Sequence, residues 1–282
     1  MGIRLPILTM RTESVPARRG TAHRRAMRRM RQQTGRNEVR AYLDLLKKSL
    51  NNSLYLGTDS SACDSRYYSA SQWKLPAALR PYTLCNQSQL DFLERLMDHL
   101  VNASVTGDFM EAGVWRGGAA IFMRAFLSVR GGDRRVWLLD TFAGIPQSTG
   151  SYRYENDMVD QWADRWEASL LDVKEHFRRY GLLDDGVGFL EGPVQQTLLT
   201  APFNKIALAR LDVDSYESYS AALNLIYPRM AEGGCIVIDD WHLEPCRQAV
   251  RDFLESSQID AQVSEEFLGH PADAHWFVSH HA

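Results

Sequence analysis

The chain has 282 residues, of which 45% are hydrophobic and 24% charged, enough to bury one sizeable core and an accessory segment. No stretch approaches the roughly 18 apolar residues of a membrane span, and residues 1–37 lack the continuous apolar run of a secretory leader, so a cytoplasmic protein is expected. The net charge of −3 conceals an asymmetry: residues 1–37 hold ten arginines against the single acid Glu13, which sets a basic arm against an acidic body.

Beyond a weak Ala22-Met27-Met30 stripe the arm has little apolar period, and it reads as a disordered or marginally helical tail, residues 1–37. Clustered arginines also suit phosphate neutralisation, but no aromatics interleave them to stack bases, which argues against a nucleic-acid partner. From Glu38 onward Val39, Tyr42, Leu43, Leu45, Leu46 and Leu50 fall at helical steps. A polar stretch to Trp73 follows, carrying Tyr55, Tyr67 and Tyr68, too aromatic for a linker and suited to covering a site. Gln87 to Val101 predicts another helix, with Leu90, Phe92, Leu93, Leu96, Met97 and Leu100 on one face, so residues 38–106 form a helical lid segment.

From residue 107 to 282 short apolar runs alternate with helical segments, the pattern of an α/β fold built on a doubly wound, mostly parallel sheet. Strands are expected near 108–112, 135–140, 187–191, 206–212 and 234–239, and helices near 117–130, 156–180, 217–231 and 244–256. Gln262–Leu268 and His275–His280 suggest a closing hairpin. Cys63, Cys85, Cys235 and Cys246 show no C-x-x-C spacing and read as buried or idle thiols.

Two of these strands end in acids. The run Ile206–Leu211 leads into Asp212 and Asp214, and Cys235–Ile238 into Asp239 and Asp240. Ligands bind at the carboxyl ends of strands in open α/β sheets. Two such ends would aim four carboxylates into one crevice, where like charges about 4 Å apart repel by roughly 4 kcal/mol per pair at an effective dielectric near 20. Protons or a cation must relieve that repulsion, and a divalent metal is the simpler remedy. The plainer alternatives are that Asp214 or Ser215 caps the next helix and that Asp239 and Asp240 merely end a strand.

The first strand leads through Glu111-Ala112-Gly113-Val114-Trp115 to Gly117-Gly118 and a helix. The spacing is not G-x-G-x-x-G, and Glu111 would repel a phosphate and attract an amine. The second strand ends in Asp140, where an acid in such folds accepts hydrogen bonds from a ribose diol. A ribose with an ammonium and no pyrophosphate describes S-adenosylmethionine, although a strand end and a helix cap would leave the same trace.

Taken in order, the segments Glu111–Gly118, Asp140-Thr-Phe-Ala-Gly144, His176–Leu182, Arg210-Leu-Asp-Val-Asp-Ser-Tyr-Glu217 and Tyr227-Pro228 through Gly233-Gly234 to Asp240 resemble the macrocin-type O-methyltransferases. The resemblance covers about residues 38–282 and implies a class I S-adenosylmethionine methyltransferase (Rossmann-like) fold with an N-terminal helical lid. It further implies Mg²⁺ as a second cofactor and deoxysugar hydroxyls of glycosylated antibiotics as substrates; from the lack of an apolar span, no membrane partner is expected. By position, Asp212, Asp239 and Asp240 correspond to metal ligands and Asp214 to the general base. Thr83, Leu84, Glu111, Ala112, Gly113, Val114, Trp115, Asp140, Thr141, Phe142, Gly144, Gly192, Pro193 and Asp212 correspond to cofactor-binding positions. Val213 departs from the glycine common in the family, and Pro193 lacks the neighbouring tryptophan.

Methyl transfer from a sulfonium is an in-line displacement, so the attacking hydroxyl must be aligned and made nucleophilic. All-carboxylate donors suit a hard cation, and Asp214, two residues beyond Asp212, would share its face on a strand. His242 is a candidate accessory base. Rival readings are a metal-dependent methyltransferase of catechol-like phenols, which typically has lysine where Ser215 stands, and a non-catalytic cofactor- or nucleic-acid-binding protein. The apolar face of the lid would be served by a second subunit, giving a homodimer or higher homo-oligomer.

Overall fold

The structure is a computed structural model that describes residues 35, 37–56, 80–130, 132–146, 166–265 and 273–280. The chain divides into two units, Met1–Tyr42 and Leu43–Ala282. In the first, residues 37–42 are helical, and nearly all of the basic arm lies outside the described residues. Tyr67, Tyr68, Trp73 and Cys63 of the expected lid also lie outside them.

The second unit opens with helical residues 43–50 (α1), then Ser53–Leu56 (α2) and Gln87–Asn102 (α3). Asn86 caps α3 through the Gln89 amide while the Gln89 side chain returns to the Asn86 N–H, a reciprocal box that sets where the helix begins. There follow β1 (Asp108–Ala112), α4 (Gly118–Arg130), β2 (Val136–Asp140), α5 (Leu170–Arg179), β3 (Val187–Glu191) and α6 (Val194–Thr200). The remainder comprises β4 (Ile206–Leu211), α7 (Tyr216–Ile226), β5 (Met230–Ile238), α8 (Glu244–Ser256) and β6 (Ala274–Phe277).

The six strands lie in the order β3-β2-β1-β4-β5-β6, with β6 antiparallel and the rest parallel. All six residues of β4 are buried, with no alternation, because a central parallel strand is covered on both faces. The strand order reverses between β1 and β4, and the crevice at that switch point is where both acid-tipped strands arrive.

The five expected parallel strands are present, with corrections at the edges. The helix expected near 156–180 is α5, which starts at Leu170 because Ser169 accepts the Asp172 N–H as its cap; residues 147–165 lie outside the described set. The helix expected to reach 231 stops at Ile226, since Pro228 lacks the N–H to continue it and a 3₁₀ turn, Tyr227–Arg229, leads straight into β5. Strand β5 starts at Met230 rather than 234. Met230 pairs with Ile206 and Cys235 with Leu208, so Ala231 to Gly234 bulge from the ladder. Helix α6 had no capping signal to announce it. Of the closing hairpin, β6 forms, while Ser264 makes an isolated antiparallel bridge to His275 and residues 266–272 lie outside the described set.

Candidate active site

The glycine turn after β1 is shaped by contact with the end of β4. A Cβ on Gly113, whose φ is +78°, would lie 1.6 Å from the Asp212 carbonyl oxygen. Asp140 at the tip of β2 organises the same turn: Oδ2 accepts the N–H groups of Val114 (2.7 Å) and Trp115 (3.0 Å), and Oδ1 accepts that of Phe142 (2.8 Å). A carboxylate has about four lone-pair sites, so with three taken by these N–H groups about one remains for a ribose hydroxyl, on Oδ1, from which the Thr141 hydroxyl lies 3.4 Å. Thr141 donates to the Gly144 carbonyl (2.6 Å) and rigidifies the next loop. Beyond β3, the Gly192 N–H donates to the Asp140 carbonyl, and Pro193 stands at the start of α6.

Thr83 and Leu84 lie in the segment that crosses the start of α4. Gly118 donates to the Tyr82 carbonyl at 2.8 Å, and a Cβ there would strike it. This brings the segment before α3 to the same rim as the glycine turn. On that rim Trp115 meets Trp166, Arg116 lies over Tyr82, and His176 donates through Nδ1 to the Arg116 carbonyl (3.0 Å) while packing against Tyr82.

The acids meet around a buried guanidinium. Arg210, on β4 two residues before Asp212, donates through Nη1 to Glu111 Oε1 and to Asp212 Oδ2 (2.9 Å), and through Nη2 to Asp239 Oδ1 and the Cys85 sulfur (3.3 Å). Burial opposes its charge, but Asp239 and the other neighbouring acids more than offset this and hold the guanidinium protonated. Beside it, Asp212, Asp214 and Asp240 each bring a carboxylate oxygen within 4.8 Å of the others. The Asp212 side chain keeps 29% of its exposure, so the group opens to the crevice.

Burial and then the charge of Asp239 drive the Asp212 carboxyl well above the ordinary range, and the same two causes push Asp240 up to about 7. Asp240 is held by the Asp214 N–H (3.0 Å) and lies 2.9 Å from the Tyr219 hydroxyl. Burial likewise pushes Glu111 up to about 7, against the pull of Arg210. The cluster is short of positive charge, which is the condition a cationic ligand satisfies.

Ser215, not Asp214, caps α7 by accepting the Ser218 N–H. Asp214 has φ +59° and is spanned by a hydrogen bond from the Ser215 N–H to the Val213 carbonyl (2.7 Å), a strained γ-turn. Trp115 and Phe142 are also non-glycine residues at positive φ, and such strain gathers where a site over-determines the backbone. His242 is half-buried in the turn after β5.

A sequence profile of the family described as Macrocin-O-methyltransferase (TylF) matches residues 69–266. The chain belongs to the macrocin-type O-methyltransferase family. It is 37% identical over 235 residues, 79% of this chain and 88% of its relative, to the 8-demethyl-8-(2,3-dimethoxy-alpha-L-rhamnosyl)-tetracenomycin-C 4'-O-methyltransferase of Streptomyces olivaceus. It is 35% identical to the Mycinamicin III 3''-O-methyltransferase of Micromonospora griseorubida, over 80% of this chain and 93% of that one. The solved O-methyltransferase NovP superposes with a TM-score of 0.74 at 30% identity, covering 85% of this chain and 98% of its own. The fold is thus that of the class I methyltransferases, and the macrocin-type chain is an O-methyltransferase.

Sequence reasoning passed over three members of this macrocin-type centre. Arg210 sat inside a quoted motif, and its period-two spacing from Asp212 was the available signal. Tyr219, whose hydroxyl also lies 2.7 Å from the Leu211 carbonyl, falls within the helix expected near 217–231 and carried no signal of its own. Asp273 precedes β6, opposite the end of β5; Gln89 donates to its Oδ2 (2.8 Å), and burial and Asp239 raise its carboxyl.

Two observations bear on which cofactors these residues fit. Glu111 Oε2 is buried with no hydrogen-bond partner among the described residues, an unsatisfied acceptor beside the glycine turn whose chemistry suits an ammonium donor. The convergent oxygens of Asp212, Asp214 and Asp240 are all hard donors, as a magnesium ion prefers.

Proposed function

We propose that this macrocin-type enzyme transfers a methyl group from S-adenosylmethionine to a sugar hydroxyl of a glycosylated natural product, with Mg²⁺ as second cofactor. The observation that carries the reading is the convergence of Asp212, Asp214 and Asp240 at the switch point, beside the glycine turn and Glu111. The names of the relatives support the substrate class, since one methylates a rhamnosyl-bearing tetracenomycin and another a mycinamicin.

In this reading Glu111 takes the cofactor's ammonium, the Ala112–Trp115 turn and Asp140 to Gly144 take its ribose side, and Gly192-Pro193 with Thr83 and Leu84 complete the pocket. Asp212, Asp239 and Asp240 hold the metal. When bound, a divalent ion supplies Lewis acidity that favours the alkoxide of a vicinal diol. Asp214 accepts the hydroxyl proton as the methyl group transfers, and its strained turn fixes the carboxylate's direction. The helical segment 38–106 covers the crevice and excludes water, and the protein works as a cytoplasmic homodimer or higher homo-oligomer.

A second reading has a specific observation in its favour: Asp214 belongs to the convergent trio, whereas Asp239 is engaged by Arg210. There Asp214 is a metal ligand. Asp214→Asn separates the two. As base, the variant keeps Mg²⁺ and S-adenosylhomocysteine affinity by calorimetry and loses turnover by at least about a hundredfold; as ligand, it loses Mg²⁺ affinity as well. Turnover that survives exhaustive EDTA treatment would refute the metal in either role.

A further inference from the structure

We propose that Arg210 is a positioning residue that orients the metal-side carboxylates and couples them to the cofactor's amine end; this rests on the function proposed above. The geometry of β4 makes it possible. Arg210 and Asp212 stand two apart and share a face, Arg210 is in register with Glu111 of β1 on one side and Val237 of β5 on the other, and Asp239 lies two residues beyond Val237. One planar fork therefore reaches acids from three neighbouring strands.

Each carboxylate gives Arg210 one oxygen and keeps another. Asp212 is held through Oδ2 and Asp239 through Oδ1, so their second oxygens stay available to a ligand, and Glu111 is held through Oε1 while Oε2 stands unpartnered. Groups that hydrogen-bond ligating carboxylates set the direction of their lone pairs, and losing such a partner typically costs about 10–100-fold in metal affinity. Because the guanidinium is shared, charge drawn from Glu111 by an ammonium changes how strongly Arg210 holds Asp212 and Asp239. Binding at the two ends is therefore linked, and the linkage is reciprocal. Cys85 extends the contact to the segment before α3, since its sulfur accepts from the same Nη2.

A lysine at this position would keep the charge but has no fork to bridge three acids. The test is titration calorimetry of the full chain with Mg²⁺ alone, with S-adenosylhomocysteine alone, and with each in the presence of the other. Arg210→Lys is expected to weaken Mg²⁺ by about 10–100-fold, and to bring the ratio of Mg²⁺ affinities with and without S-adenosylhomocysteine towards one. Glu111→Gln, which leaves the expected metal ligands intact and serves if the lysine variant does not fold, throws the whole guanidinium charge onto Asp212 and Asp239. It is expected to weaken Mg²⁺ by at least about threefold. Mg²⁺ affinity within error of wild type in either folded variant overturns the inference while leaving the proposed function intact. A wild-type chain that binds S-adenosylhomocysteine but no Mg²⁺ overturns the metal reading and the inference together.

Discussion

Arg210 and Glu111 face one another in the β4–β1 register, and the guanidinium of the first donates to the carboxylate of the second in the buried core of the site. An acid placed to attract an amine is thus already half-satisfied by the protein. It stays hard to ionise because burial outweighs the help of Arg210.

This relationship sets a pH dependence. With the Glu111 carboxyl at about 7, the acid is mostly protonated at pH 6 and mostly ionised at pH 8. An ammonium ligand prefers the ionised form, so S-adenosylhomocysteine affinity is expected to rise by about tenfold from pH 6 to pH 8. Calorimetry at half-unit intervals checks it, and Glu111→Gln should flatten the rise.

Stability moves the opposite way. A carboxyl raised in the folded state binds more protons there than in the unfolded chain, so its contribution to folding falls as pH climbs from about 4.5 towards 7. Chelator-treated, cofactor-free protein is expected to melt at lower temperature at pH 8 than at pH 6. S-adenosylhomocysteine should raise the melting temperature more at pH 8. A larger rise at pH 6 would contradict the assignment of its amine to Glu111.

Gly113→Ala is expected to cost far more than Gly181→Ala. Both glycines have positive φ, at +78° and +68°, but a Cβ at 181 meets nothing within 4 Å, whereas one at 113 collides with the Asp212 carbonyl. Position 181 should lose about 1 kcal/mol and position 113 more than about 3 kcal/mol, measured by urea denaturation. Equal losses would mean that the glycine turn yields to the end of β4.

Lys47 is a purely structural counterpart to Arg210. Its side chain is 3% exposed and its ammonium is held by Asp44 (3.4 Å), Asp91 (2.7 Å) and Glu94. Those three acids resemble a cation site, but the lysine fills it. Lys47→Met is expected to destabilise the protein by about 2 kcal/mol, below the roughly 3–5 kcal/mol of breaking a fully buried pair because Asp44 and Asp91 can regain water. Mg²⁺ affinity at the Asp212 centre should stay as in wild type.

Much of the sheet was legible because a buried parallel strand writes itself as an unbroken apolar run, as Ile206–Leu211 does. Boundaries were harder where local chemistry is ambiguous. The expected strand began at Gly234, yet Met230 to Gly233 also belong to β5, with a bulge where a Cβ on Gly234 would lie 2.8 Å from the Ala231 carbonyl. Helix α6, seven residues without a side-chain cap, offered too little period to be seen.

The order of residues along the chain was enough to place acids after two strands, a glycine turn after a third and Asp140 after a fourth, because strand ends and turns are marked by their immediate neighbours. Which acids converge, and on what, was settled only by tertiary structure. Arg210 reaches Glu111 and Asp239 because β4 lies between β1 and β5 in a particular register, and Asp273 joins them because β6 runs antiparallel. Strand order and register are set by packing across the whole sheet, so residues remote in sequence become neighbours without leaving a local trace.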